Sequence, residues 1–85
     1  MKFLVNSKDI NSVNLANVIN IFVSNNYLML SLTDGREMRF LYGTTDALNK
    51  LHARIMRFIG AEDTRVFDCY EFLNGLKWSG TGFAI

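Results

Sequence analysis

Proline is absent from the chain, cysteine and histidine occur once each, and glycine is sparse until the end. Without a Pro- or Gly-rich stretch nothing marks a linker, so the 85 residues read as one small domain. A single cysteine excludes an intramolecular disulfide and points to a reducing compartment, which here means the cytoplasm. One His and one Cys cannot supply the four ligands of a structural zinc site. No apolar run approaches the roughly 18 residues needed to span a bilayer. The segment Met1-Lys2-Phe3-Leu4-Val5-Asn6 is too short for the apolar region of a signal peptide. The formal net charge of +1 removes any bulk electrostatic argument for nucleic acid or a membrane surface.

What the chain does contain is apolar bulk: 49% hydrophobic residues, with seven Phe, three Tyr and one Trp to fill a small core. Much of it alternates. Val18 to Ser24, Tyr27 to Leu32 and Arg36 to Tyr42 each read as a strand, and Asp34-Gly35 between the last two is a strong hairpin signal. Asn25-Asn26 joins the first two, because Asn tolerates positive φ. Alternation places Leu28, Leu30 and Leu32 on one face and Tyr27, Met29 and Ser31 on the other. In the third strand it groups Met38, Phe40 and Tyr42 against Glu37, Arg39 and Leu41, and the charged pair marks the wet face. A type I turn with Gly35 in a left-handed bulge is expected at Thr33 to Arg36.

Before this meander, Lys2 to Asn6 reads as a first strand and Ser7-Lys8-Asp9 as a turn. Residues 10–21 are ambiguous. Ser12 can cap a helix carrying Leu15, Val18, Ile19 and Phe22, but β-branched residues and the recurring Asn11, Asn14, Asn17 and Asn20 favour an extended piece, a turn at Ala16-Asn17 and then the strand. After Gly43, a Thr cap, Asp46 in the first turn and the stripe Leu48, Leu51, Ile55, Phe58, Ile59 predict a helix over about 46–59, with Met56 on its flank and Gly60 at C′. Ala61 to Thr64 resembles a second cap, and 64–76 suits a helix or a strand.

Five groups of residues bear on function. Lys50, Arg54 and Arg57 form a basic stripe opposite the apolar one, suited to a phosphate backbone or an acidic partner, though an ordinary solvated helix face explains it too. Glu62, Asp63, Asp68 and Glu71 form an acidic stretch after the helix, which cap chemistry accounts for in part. His52 and Cys69 would make a nucleophile pair only if the fold brought them together. Gly80-Thr81-Gly82 is not followed by the helix that a phosphate loop requires. Tyr27, Met29, Trp78, Phe83 and Ile85 are more large apolar side chains than one small core readily hides, and with Arg39 they are the candidate partner-binding residues.

In Val13-Asn14-Leu15-Ala16-Asn17-Val18, followed by Leu30-Ser31-Leu32-Thr33-Asp34-Gly35-Arg36-Glu37-Met38, the chain resembles short bacterial and phage proteins with a meander-plus-helix layout, some of them compared with a truncated pleckstrin-homology-like sheet. That resemblance extends over residues 1–60 and implies a fold without implying an activity or site residues. The expectation is therefore an α+β domain: an antiparallel meander of about four strands, covered on one face by the long helix, plus a short C-terminal element. The expected function is a non-enzymatic protein-binding module, acting as a homodimer or inside a larger complex, such as a phage-type inhibitor of a host or defence complex. The alternative is a nucleic-acid-binding accessory using Lys50, Arg54 and Arg57. No catalytic residue, metal, cofactor, small-molecule substrate or membrane association is expected.

Overall fold

The computed structural model describes residues 1–78, with side chains through Leu76. The chain folds as α+β with two three-stranded sheets. Strands β1 (Phe3–Asn6) and β2 (Asn11–Asn14) form a hairpin, and a 3-10 turn at Leu15–Asn17 leads into β3 (Val18–Ser24), β4 (Tyr27–Leu32) and β5 (Glu37–Tyr42). Helix α1 spans Thr45–Gly60, strand β6 Val66–Asp68 and helix α2 Cys69–Trp78. The antiparallel meander is thus β3-β4-β5, three strands rather than about four. The first strand belongs to the other sheet, where β1 lies between antiparallel β2 and parallel β6. A parallel partner more than sixty residues away leaves no local signal, so sequence periodicity cannot announce it.

The turns follow the local chemistry. Asn25 and Asn26 both take positive φ, 51° and 64°, the geometry that matches hairpin twist. Gly35 has φ +91°, its N–H donates to the Leu32 carbonyl, and the Asp34 carboxylate accepts from the Arg36 N–H and Nε. Those Arg36 hydrogen bonds hold the Asp34 carboxyl below the usual range. Residues 10–21 adopt the extended alternative, with the Asn14 side chain accepting from Ala16 N–H to close the turn.

Two bulges break the alternation. Pairing passes from Val18↔Leu32 to Asn20↔Ser31, leaving Ile19 over, and from Leu28↔Leu41 to Met29↔Arg39, leaving Phe40 over. An extra residue reverses the phase of the strand beyond it. Phe40 and Leu41 are therefore both buried, and Tyr42 points outward, the reverse of what strict alternation predicts for Leu41 and Tyr42. At β3 the surplus residue, Ile19, is left 70% exposed.

Helix α1 starts where the sequence says it should, with the Thr44 hydroxyl accepting from Ala47 N–H. It buries Ala47, Leu48, Leu51, Ile55 and Phe58 against Leu4, Ile21, Leu28, Leu30 and Phe40. Because α1 packs on β3 and β4 and also on α2, its buried arc shifts toward Ala47 and leaves Ile59 at the rim. Its C-terminus departs from expectation: Gly60 is the last helical residue and Ala61 is extended, with no left-handed glycine. Lys2 replaces that cap. Its ammonium donates to the carbonyls of Phe58 (2.8 Å), Thr64 (2.9 Å) and Ala61, and lies 4.6 Å from the Phe58 ring centroid. A cation there also complements the negative end of the helix dipole.

After α1 both readings of 64–76 are realised in succession, strand β6 and then helix α2. The cap of α2 is Asp68, whose Oδ1 accepts from Tyr70 and Glu71 N–H, and Thr64 plays no such part.

The two sheets are tied by Asn6, fully buried at the end of β1. Its Nδ2 donates to the carbonyl of bulged Phe40 at 3.0 Å and to Asp9 Oδ2 at 3.2 Å, while Oδ1 accepts from Lys8 N–H. Replacing Asn6 with Ala removes the donor it offers the Phe40 carbonyl and empties a fully buried site, so a loss of about 2–3 kcal/mol is expected. Urea unfolding reads this as a lower midpoint at unchanged slope, and a loss well below about 1 kcal/mol would show that Asn6 is not the tie.

Candidate functional site

The side of the β3-β4-β5 sheet opposite α1 is lined by Phe22, Ser24, Tyr27, Met29, Glu37 and Arg39 around a shallow depression of about 280 Å³. Register explains the grouping: Phe22 pairs with Met29, Met29 with Arg39, and Tyr27 with Tyr42. The Tyr27 and Tyr42 rings meet edge to face at 5.4 Å and 68°, and the Arg39 guanidinium lies 5.3 Å from the Tyr27 centroid. Tyr42 is 59% exposed. This is a planar cation on an aromatic, beside a flexible thioether and one carboxylate. Such groups recur at protein interfaces because they bury large areas and retain polar handles.

Of the partner-binding residues expected from sequence, Tyr27, Met29 and Arg39 come together here. Phe83, Ile85 and the Trp78 side chain lie outside the described residues. Phe22 and Tyr42 were missed. The adjacent bulky pair Phe40-Leu41, which cannot both face inward in a regular strand, was the available sign that Tyr42 faces out.

The three basic residues of α1 differ in their surroundings. Arg54 turns to one flank, its guanidinium 5.0 Å from the ring centroid of Phe67 on β6, while Lys50 and Arg57 are exposed. Arg39 lies on the opposite side of the sheet from α1, so the hairpin does not extend the stripe. The acidic stretch is divided as well. Glu62 and Asp63 are exposed in the loop after α1, and Asp68 caps α2. Among the described residues no three His, Cys, Asp or Glu side chains are placed to hold a metal ion.

His52 and Cys69 have separate structural tasks. His52 Nε2 lies 2.9 Å from the Ile21 carbonyl on β3, and since a carbonyl only accepts, Nε2 carries the proton. The Cys69 thiol is buried in the core, and burial, with the nearby Asp68 charge, pushes its pKa up to about 12. A closed-off, protonated sulfur is no nucleophile at neutral pH.

A second concavity, about 510 Å³, lies between β3 and the flank of α1, with Lys2, Val18, Ile19, His52, Met56 and Ile59 among its lining residues. Sequence reasoning missed this groove, although Met56 was already on the flank of the helical stripe. It arises because the β3 bulge leaves Ile19 out and the shift of α1 leaves Ile59 at the rim.

No family model, no curated protein and no solved structure matches this chain. The functional reading therefore rests on these surfaces alone.

The thiol supplies a prediction. Cys69 should not react with a disulfide reagent at pH 8 unless the protein opens, so modification should be slow in buffer and fast in denaturant. Its folded pKa is raised above the unfolded value, so its contribution to stability is complete below the ordinary thiol value of 9.0 and is lost as pH rises toward about 12. Stability measured across that range should fall more steeply for the parent chain than for Cys69→Ala.

Proposed function

We propose that the protein is a non-enzymatic protein-interaction module that docks a partner on the outer face of the β3-β4-β5 sheet. The observation that carries this reading is the Tyr27–Tyr42–Arg39 cluster. Its aromatic and guanidinium groups are ordered against one another before any partner arrives, and α1 occupies the other side of the sheet. Preordered side chains lose little rotamer freedom on binding, which favours them as anchors. Arg39 and Glu37 supply one charge of each sign beside the apolar centre, a pattern that sets orientation.

An inhibitor of the phage type, held to a host or defence complex by one such face, is the form of this proposal that suits so small a chain. The reducing, cytoplasmic setting argued from the lone cysteine belongs to the same proposal. Binding of nucleic acid through Lys50, Arg54 and Arg57 is less favoured, because Arg54 is held on Phe67.

The test is co-purification from native-host lysate, followed by mass identification and a binding measurement with the purified species. Arg39→Glu and Tyr42→Ala alter exposed positions, so both should fold, and each should weaken binding by roughly tenfold or more. If both variants bind as the parent does, the outer face is not the docking surface. If the co-purifying species is nucleic acid, lost on adding salt and on replacing Lys50, Arg54 and Arg57 with Ala, the rival reading replaces this one.

A further inference from the structure

A second feature lies away from that face. Ile10 has φ +55°, a left-handed conformation that a β-branched residue strongly disfavours, and its side chain is 91% exposed. It ends the turn between β1 and β2, where Gly or Asn would relieve the backbone and remove an apolar group from water. The turn is pinned on all sides. Asn6 Nδ2 donates to Asp9, Lys8 N–H donates to Asn6 Oδ1, and Ser7 N–H donates to Asp68 Oδ1. These bonds hold Ile10 out as a rigid apolar knob.

The groove between β3 and α1 is a matching socket. Its exposed apolar side chains are Ile19, Met56 and Ile59, and its charged or titratable lining groups are Lys2 and His52, with no carboxylate. About 510 Å³ is ample for a branched four-carbon side chain and part of the turn that carries it. Asp9, next to Ile10, brings a negative charge toward that lining, while Lys8 leaves the tip neutral overall.

Topology keeps the two apart within one molecule. The β1–β2 ladder closes at Asn6↔Asn11 beside the knob and opens at Phe3↔Asn14, where Lys2 and Leu15 of the socket follow directly. Knob and socket therefore stand at opposite ends of the same ladder. Ile10 so placed cannot reach the socket of its own molecule but can reach that of a neighbour. We propose that the occupant of the groove is a second copy of this chain, inserting Ile10 in a head-to-tail contact. Such a contact is heterologous, so it repeats from copy to copy unless the rotation closes a ring.

The test uses the protein alone, by sedimentation across a wide concentration range. The parent should associate as concentration rises, into a closed ring or an open series. Ile10→Asn removes the knob and Ile19→Glu spoils the socket, and each should be monomeric, with association weakened by about tenfold or more. Mixing the two variants leaves one intact knob and one intact socket, so a 1:1 heterodimer that grows no further is expected. Thermal melting of dilute Ile10→Asn should match or exceed the parent, which shows that the variant folds and that Ile10 is not kept for stability. A parent that stays monomeric throughout, or variants that fail to pair with each other, would overturn the proposal. Neither result bears on the outer sheet face, whose test uses Arg39 and Tyr42.

Discussion

One hydrogen bond, from the buried amide of Asn6 to the carbonyl of Phe40, couples the parts of this protein. Phe40 is the surplus residue of the β5 bulge, and a buried polar group without a partner is costly. Asn6 provides that partner from the end of β1 and joins one sheet to the other. The bulge places Phe40 and Leu41 together in the core and turns Tyr42 to the outside, where it meets Tyr27. Core packing and the aromatic cluster on the outer face thus share one local cause.

Helix α1 is fixed by its apolar stripe and, at its margins, by polar side chains. His52 donates to the β3 edge at Ile21, Arg54 lies on Phe67 of β6, and Lys2 from the start of β1 takes the terminal carbonyls. Lys2, His52, Arg54, Asp68 and Cys69 thus each have a structural task, and the surfaces open to a partner include the outer sheet face, the groove and the hairpin tip.

The parts legible beforehand were those governed by near neighbours. Alternation across Tyr27 to Leu32 assigned its inner and outer residues correctly, and the Thr44 cap with the stripe from Leu48 to Phe58 placed α1 within a residue or two. Tyr27, Met29 and Arg39 were placed on the outer face for the same reason: each lies on a strand on the side opposite a buried neighbour. Tyr42 and the groove were not, because their placement depends on bulges, and on a helix shift caused by packing against α2; Phe22 was not, because its segment also suits a helix face.

By itself the sequence determined the class of the fold, the two asparagine and glycine turns and the long helix, and among the described residues no helix is long and apolar enough to cross a membrane. These depend on propensities and periods that act over a few residues. The tertiary structure alone decided that the strands divide into two sheets, that β1 takes β6 as a parallel partner, that Lys2 caps α1, and that Ile10 and the groove stand at opposite ends of a ladder. Those outcomes are competitions between distant segments for the same hydrogen bonds and the same buried volume, and only the assembled chain settles them.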